Sequence, residues 1–408
     1  MIKLTVEQTY LLHILGCALQ EQPLKVLPDS EKISWSALLQ EATAQTVFPI
    51  FFDVLSGIQD QIPEDIYQKC FDYTRRCIVG NMRTEHAQSQ LVGVLEQGQH
   101  PYVILKGESA AAYYPKPELR QLGDVDFLII PEQANAITAK MQGLGYQHSW
   151  EPGDYHQVLR KPGAYLEMHM DVAGMPEGSA RQAVSDYLST IFEESQPMEC
   201  EFGTFQAPCE AHHGLILLLH MQHHVLAKGM GLRHIMDWAC FVNKTAHKTF
   251  WEERLLPLLR RIGLLHFAAV MTKLASVYFH SRCPDWAAEP EESLCQALME
   301  DILSGGNFGH KDQDRARSLN MLPNWETSEK GEGKLKLLYR TLRKSALHWH
   351  PEFENKPVRL FFAMCGRAIR YVFLYIRGKR PNLLKAASHA DARRSIYEQL
   401  HLFETEGE

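Results

Sequence analysis

Three acidic residues near the middle of the chain have the types and spacing of a metal site. Asp124 and Asp126 lie two apart at the start of an apolar segment, Val125 to Ile130, which we predict to be a strand. Alternation along a strand places both carboxylates on one side, about 6 to 7 Å apart. Two like charges held this close need a counter-ion, and Mg²⁺ or Mn²⁺ binds carboxylate oxygens. Glu167 lies in another predicted strand, and we expect it to be the third acid if the two strands are neighbours.

Two cations and a glycine lie close to these acids in the sequence. Tyr102 to Leu105 is a short apolar run that predicts a buried strand, and Lys106 and Gly107 follow it as a turn. A glycine in such a turn lets backbone amides approach phosphate oxygens, and Lys106 and Arg120 have the charge that neutralises a triphosphate. A structural salt bridge is the alternative for each cation. A metal site beside phosphate-binding groups predicts phosphoryl or nucleotidyl transfer.

The order of these motifs resembles that of a known superfamily. The segments L-K-G-E-S, R-Q-L-G-D-V-D-F-L-I and Y-L-E-M-H are similar to those of the polymerase-β-type nucleotidyltransferases, and most similar to an uncharacterised bacterial branch with an L-K-G…R…G-D-[IV]-D core. That branch continues with a helix similar to G-L-R-H-I-M-D-W-A at 231–239. The likeness covers Val103 to Val242, and the helices on either side are not explained by a motif.

The resemblance implies roles for individual residues. Asp124 and Asp126 would bind two metal ions, and Glu167 would bind one of them and serve as, or position, the base for the acceptor hydroxyl. Gly107 and Ser109 would face the phosphates. Glu108 departs from the pattern, because many members of the superfamily have a second glycine or a serine there, and Ser109 is the candidate substitute.

Three hypotheses for the function remain open at this stage. Our first hypothesis is an Mg²⁺-dependent enzyme that moves a nucleoside monophosphate from an NTP, such as ATP, to an acceptor hydroxyl and releases pyrophosphate. The acceptor would be a small molecule, a protein side chain or an RNA end. The alternative is a regulatory protein that keeps the fold and binds nucleotide without turnover. A third hypothesis is a metal-dependent hydrolase built on the histidines described next.

A predicted helix from Glu210 to Leu226 carries five histidines. His220 and His224 are one helical turn apart, a spacing that can chelate a transition metal, and Asp237 and His169 could join them. The alternatives are neutral imidazoles that bind backbone groups or line an interface, or a helix whose polar groups face the nucleotide site. The five histidines are His212, His213, His220, His223 and His224.

The pattern of apolar residues predicts an α+β fold, with a small mixed β-sheet core flanked by helical regions at both ends. We expect an N-terminal helical region over 1–98, a nucleotidyltransferase core over 99–208 and a C-terminal helical domain over 209–408. Helices are predicted to begin near Thr5, Ser34 and Pro63. In the C-terminal region they cover 210–226, 233–243, 250–275, 291–303, 335–347 and 358–376, and a Gly-rich segment over 304–333 predicts a loop.

Composition favours a cytoplasmic protein. The 408 residues carry a net charge of -7, and nine cysteines occur without a C-x-x-C pair, which is typical of reduced thiols. The N-terminus lacks the features of an export signal. The negative charge gives no overall attraction to nucleic acid, although basic clusters at Arg340, Arg343 and Lys344 and at Arg377, Lys379 and Arg380 leave a nucleic-acid acceptor as a weakly supported partner.

The most apolar stretch near the C-terminus, Val358 to Ile376, is interrupted by Arg359, Arg367 and Arg370. We therefore expect no membrane span there. An amphipathic helix packed on the protein is our interpretation, and a helix lying on a membrane surface is the alternative.

Overall fold

The computed structural model describes most of the chain. The described residues are 4–25, 33–150, 156–226, 229–309, 311, 339, 342–343, 346–347, 349–354, 356–376 and 396–404. Helices and a small mixed sheet make up these residues, which confirms the predicted α+β fold. The predicted boundaries at 98/99 and 208/209 stay a prediction.

The first helices begin where their caps predict. Helix α1 (Val6–Leu19) starts with a capping box, in which the Gln8 backbone N–H donates to the Thr5 hydroxyl and the Thr5 backbone N–H donates to the Gln8 side chain. Ser34 accepts from the Ala37 N–H at the start of α2 (Trp35–Ala44). Helix α3 (Phe48–Leu55) was not predicted from the sequence. Helix α4 (Glu64–Gln97) follows Pro63 and runs for 34 residues.

The sheet has five strands in the order β1-β2-β5-β4-β3. Only β2 and β5 pair in parallel, and the other neighbours are antiparallel. Helix α6 (Ala134–Gly143) and the hairpin strands β3 and β4 form the connection between the parallel pair, as such a pair requires. The strands are β1 (Tyr102–Ile104), β2 (Val125–Ile129), β3 (Gln147–Ser149), β4 (His156–Lys161) and β5 (Ala164–His169).

Short elements complete this region. Helix α5 (Glu108–Ala111) follows β1, helix α7 (Gly178–Leu188) follows β5, and β6 (Gln196–Cys200) and β7 (Gly203–Ala207) form a separate hairpin. One face of the sheet packs on the C-terminal half of α4, where Ala87, Leu91 and Leu95 are buried. The residues of the candidate site lie on the other face of the sheet.

The C-terminal helices form the largest core together with α1 and α3. They are α8 (Glu210–Leu226), α9 (Leu232–Thr245), α10 (Leu256–Arg261), α11 (Leu265–Phe279) and α12 (Glu292–Gly305). The C-terminal residues 396–404 return to this core, where Leu400 has no exposed surface.

The single helix predicted over 250–275 is wrong. The chain bends by 118° between residues 251–261 and 265–279. Gly263 lies at the bend with a φ of +66°, and a β-carbon there would come within 2.5 Å of the Glu404 carbonyl oxygen. The Phe403 N–H also donates to the Gly263 carbonyl at 2.9 Å. Glycine is therefore required at the bend by both its backbone conformation and its close neighbour.

The last described helix is α13 (Pro357–Ile376). Most of the predicted Gly-rich loop and part of the predicted helix at 335–347 lie outside the described residues. No single helix among the described segments is long and apolar enough to cross a bilayer, and only the bent pair 251–261 and 265–279 passes that test together.

A buried ion pair joins the sheet region to α9. The Arg120 guanidinium donates from Nε and Nη2 to the two carboxylate oxygens of Asp237, at 2.7 and 2.8 Å. The Tyr114 hydroxyl donates to the same carboxylate at 2.6 Å. The two side chains of the pair are 5% and 8% exposed, so that each charge depends on the other for compensation.

We predict that Asp237→Asn lowers the free energy of unfolding by about 3–5 kcal/mol, because it leaves the Arg120 charge buried without its partner. The matched control is Asp53→Asn, which breaks the exposed pair between Lys116 and Asp53 and should cost about 1 kcal/mol or less. Urea unfolding monitored by tryptophan fluorescence gives both values. Equal losses in the two variants would contradict the assignment of the Arg120–Asp237 pair as the structural link.

Candidate functional site

The pairing of β2 with β5 brings the three predicted acids together. Asp126 is aligned with Glu167 across the parallel pair, so that both side chains lie on the same face of the sheet. Asp124 precedes β2 by one residue and lies two positions from Asp126. The carboxylate oxygens of the three residues lie within 4.8 Å of one another. The sequence therefore predicted the juxtaposition correctly, while the roles of these residues stay a prediction.

Asp126 is the most deeply buried of the three acids, with its side chain 2% exposed. The Lys106 Nζ lies 3.0 Å from its Oδ2, and His169 Nε2 donates to its Oδ1 at 2.9 Å. Burial alone would raise the pKa of Asp126, but the charge of Lys106 and the hydrogen bond from His169 hold it well below its usual range. Asp126 is therefore ionised before any ligand binds.

Asp124 and Asp126 occupy different electrostatic environments. Burial and the neighbouring charge of Asp126 raise the pKa of Asp124, and Lys106 offsets only part of that rise. Such repulsion between two carboxylates is relieved when a divalent cation binds between them.

His169 is a site residue that the sequence analysis assigned to another group. It lies two positions after Glu167 on β5 and therefore faces the same side. Its Nε2 lies 2.9 Å from Asp126 and 3.6 Å from Glu167. Burial lowers the pKa of His169, but the bonds to the two carboxylates outweigh it and raise the pKa. The spacing of Glu167 and His169 on a strand was the signal that could have identified it.

Lys106 and Gly107 lie where the sequence analysis expected them, at the end of β1 beside the acids. Gly107 has a φ of +78°, which favours glycine, and it ends the strand as α5 begins. Lys106 also donates to Nε2 of His220 at 2.9 Å. Both residues line a narrow cleft between the sheet and helices α8 and α9, together with Arg120, Gly123, Asp124, Asp126, Leu217, His220, Met221, Arg233, His234 and Asp237.

Two predicted phosphate-binding side chains are committed to other contacts. The Ser109 side chain has no exposed surface, and its hydroxyl donates to the Ile104 carbonyl at 2.6 Å, so its predicted position facing the phosphates is wrong. Arg120 reaches the wall of the cleft, but its guanidinium is paired with Asp237. Of the two alternatives that the sequence left open for Arg120, the structure has the salt bridge.

Glu108, which departs from the superfamily pattern, turns away from the cleft toward α4. Burial and the adjacent charge of Glu85 raise the pKa of Glu108 to about 7. The two carboxyl groups interact directly, which favours sharing of one proton between them. Glu108 is not among the residues that line the cleft.

Arg233 is a cation of the cleft that the sequence analysis missed. It lies in the first turn of α9, and its Nη1 donates to the Gln121 carbonyl at 3.0 Å. Its Nε is enclosed and has no hydrogen-bond partner, and burial lowers its pKa. Within the described part of the chain no carboxylate forms an ion pair with Arg233, whereas Arg120 beside it has Asp237. From the sequence, only the positive charge of Arg233 within the motif at 231–239 could be recognised.

Three histidines form a group behind Lys106. His220 and His224 lie one turn apart on α8, with their Nε2 atoms 3.0 Å apart, and His234 of α9 completes the group in place of the predicted Asp237 or His169. Burial and the charges of Lys106 and Arg233 lower the pKa of these imidazoles, to about 3 for His234. The same charges disfavour a further cation, and the contact with Lys106 supports the interpretation in which this helix faces the nucleotide site.

The acidic group fits a divalent metal ion. Its three carboxylates are hard oxygen donors, the type that Mg²⁺ and Mn²⁺ bind. His169 contacts one oxygen of Asp126 and orients that carboxylate, as groups around a metal ligand do. The residues that would hold the ion are Asp124, Asp126 and Glu167.

Comparison with known proteins identifies the chain's family. The model of a family described as uncharacterised nucleotidyltransferases matches residues 31–280, which is more than half of the chain. The chain therefore belongs to this nucleotidyltransferase family. A search of curated proteins finds no significant match. The reaction class is transfer of a nucleotidyl group, which confirms the resemblance described above at that level.

The histidines of α8 predict a pH dependence of stability. His213 is fully buried beside the Tyr113 hydroxyl, and burial lowers its pKa to about 4. Because the unfolded chain binds this proton near pH 6.5, stability is present above that pH and is lost as the pH falls toward 4. We expect His213→Gln to reduce the slope of unfolding free energy against pH in this window by up to about 1 kcal/mol per pH unit.

Urea unfolding at pH 7.5, 6.0 and 5.0 tests this slope. The control is His247→Gln, which changes an exposed histidine and should leave the slope unchanged. A wild-type slope retained in the His213 variant would contradict a neutral His213 in the folded protein.

Proposed function

We propose that this member of a nucleotidyltransferase family transfers a nucleoside monophosphate from an NTP to an acceptor hydroxyl, with Mg²⁺ or Mn²⁺ as cofactor and pyrophosphate as the other product. The observation that supports this proposal best is the convergence of Asp124, Asp126 and Glu167 within 4.8 Å on one face of the sheet. The neighbouring cations Lys106 and Arg233 support the same reaction, because the donor carries a triphosphate.

The three acids would hold the metal ion from positions that differ in burial. Asp126, buried and held by His169 and Lys106, stays ionised and fixed in orientation. Asp124 and Glu167 provide the remaining carboxylates, and Glu167 is the more exposed of the strand pair, at 17% against 2% for Asp126. When bound, divalent ions position the phosphates and offset the charge that develops on them.

The phosphates would lie against Lys106 and Arg233. Lys106 is 19% exposed and reaches from the sheet side, and Arg233 reaches from α9 on the opposite wall. A partly buried guanidinium without a carboxylate ion-pair partner is costly in the free protein, and an anion in the cleft would relieve that cost. Gly107 has no β-carbon, so that its backbone lets a ligand approach closely, and its positive φ favours glycine at this position.

The acceptor would approach from the side of Glu167. In the transfer the acceptor oxygen attacks the α-phosphorus, the bond to the β-phosphate oxygen breaks, and the acceptor proton passes to the Glu167 carboxylate. A groove of about 560 Å³ opens beside Gly123 and is lined by Arg160, Lys161 and Tyr165. Tyr165 lies on the same face of β5 as Glu167, so this groove leads to the acids.

We predict that Asp126→Asn abolishes metal-dependent NTP binding and reduces kcat/KM by about 100-fold or more, because it removes the most fixed of the three negative charges. Titration calorimetry with each NTP and Mg²⁺, followed by pyrophosphate release with cell extract as the acceptor source, measures both effects. Labelled product then identifies the acceptor as a small molecule, a protein or an RNA.

The matched control is Asp171→Asn, an exposed aspartate just beyond β5 that pairs with Arg181 and should leave both measurements unchanged. Metal-dependent binding without pyrophosphate release by the wild type would favour the regulatory alternative. Absence of any NTP binding would contradict both.

Arg233 and Arg120 give a second test, because neutral substitutions at the two positions should change different properties, NTP affinity for Arg233 and the free energy of unfolding for Arg120. We predict that Arg233→Met weakens NTP binding at least tenfold without lowering the free energy of unfolding, since it removes a partly buried charge that forms no ion pair in the described part of the chain. Arg120→Met should lower the free energy of unfolding, because Asp237 then stays buried alone. Thermal unfolding and NTP titration of both variants decide the point, and a destabilised Arg233→Met with unchanged NTP affinity would contradict a phosphate-binding role.

A further inference from the structure

Helix α13 exposes an apolar stripe along one side. Four of its apolar residues have between 61% and 70% of their surface exposed, far more than the buried residues of the other helices. They lie at positions i, i+3, i+4 and i+11, which is the spacing of one helical face. The four residues are Val358, Phe361, Phe362 and Ile369.

The stripe is not the face that attaches this helix to its neighbours. Leu360 and Met364, on a different side of the helix, are 6% and 8% exposed and pack with Ala346 in a small separate core. Packing on the protein therefore uses one face, as the sequence predicted. The exposed stripe is a second apolar face of the same helix.

The charges of α13 are all of one sign. No acidic residue occurs between Lys356 and Ile376, whereas Arg359, Arg367 and Arg370 do, in a chain whose net charge is -7. Arg359 and Arg370 are exposed and eleven residues apart, so both lie along the same edge of the stripe. In the sequence, three more basic residues follow directly, at Arg377, Lys379 and Arg380.

An exposed tryptophan contacts the other side of this helix, because Arg367 lies about half a turn round the helix from the stripe. Trp349 is 60% exposed, and the Arg367 guanidinium lies 5.3 Å from the centre of its ring.

We propose that α13 lies in the surface of an anionic bilayer, with the stripe from Val358 to Ile369 in the acyl boundary and Arg359 and Arg370 beside lipid phosphates. An apolar face bordered by basic residues is the pattern of helices that bind in the plane of the interface. Charge complementarity selects anionic lipid over a second copy of the chain, because self-association through this face would bring two rows of arginines together. The proposal is independent of the transferase reaction.

The test is co-sedimentation of the full chain with two kinds of vesicle, one of phosphatidylcholine alone and one of phosphatidylcholine with 30% phosphatidylglycerol. Binding occurs to the anionic vesicles and weakens as salt rises. The double variant Phe361→Ser, Phe362→Ser loses at least tenfold in the partition coefficient. Arg359→Gln with Arg370→Gln loses about fivefold or more for anionic vesicles, as basic residues near a charged surface do.

Phe71→Ser provides the matched control, because Phe71 is another exposed phenylalanine, 50% accessible on α4, and should leave binding unchanged. All variants replace exposed side chains, and circular dichroism checks that they fold. Absence of wild-type binding to anionic vesicles would overturn the proposal. It would also be overturned by light scattering that shows a dimer which the phenylalanine pair abolishes, since the face would then join two copies of the chain.

Discussion

An ionised carboxylate with almost no contact with water is the constraint around which this cleft is built. Asp126 is tolerated in the sheet because Lys106 and His169 contact its two oxygens. Lys106 lies in the turn after β1 and His169 ends β5, and Lys106 is held in turn by His220 of α8. Removing any one of these contacts would leave a charge in a site of low polarity, where an unpaired charge is expensive. The need to compensate Asp126 thus fixes the positions of two strands and a helix relative to each other.

The two arginines of the cleft show how similar residues can have different uses. Arg120 is saturated by Asp237, and this pair fastens α9 to the segment before β2. Arg233, four residues before Asp237 on the same helix, donates to the Gln121 carbonyl and forms no ion pair with a carboxylate in the described part of the chain. The first arrangement stabilises the fold, and the second keeps positive charge available next to the acids. A sequence cannot distinguish such residues, since both are arginines near an aspartate in an apolar context.

The sequence correctly predicted those features that depend only on neighbouring residues. Thr5, Ser34 and Pro63 marked helix starts correctly because capping needs only neighbouring residues. Side chains alternate between the two faces of a strand, and we assumed that the two strands are neighbours. Together these predicted that Asp126 lies beside Glu167. The errors arose where distant residues decide. The helix predicted over 250–275 breaks at Gly263 because the returning chain at Glu404 packs there, and Ser109 is buried because α5 turns its side chain under β1. Arg233 and His234 became part of the cleft only through the packing of α9 on the sheet.

The return of residues 396–404 to the bend at Gly263 has a consequence for the order in which the molecule assembles. Leu11 and Leu400 belong to the same core, so that its closure joins segments from opposite ends of the sequence. Contacts between such distant positions form slowly, because the ends of a long chain must first be brought together. During synthesis, the helices around Gly263 leave the ribosome well before the residues that cover their bend. Until then an apolar corner stays open to water, and chaperones have the time to bind there.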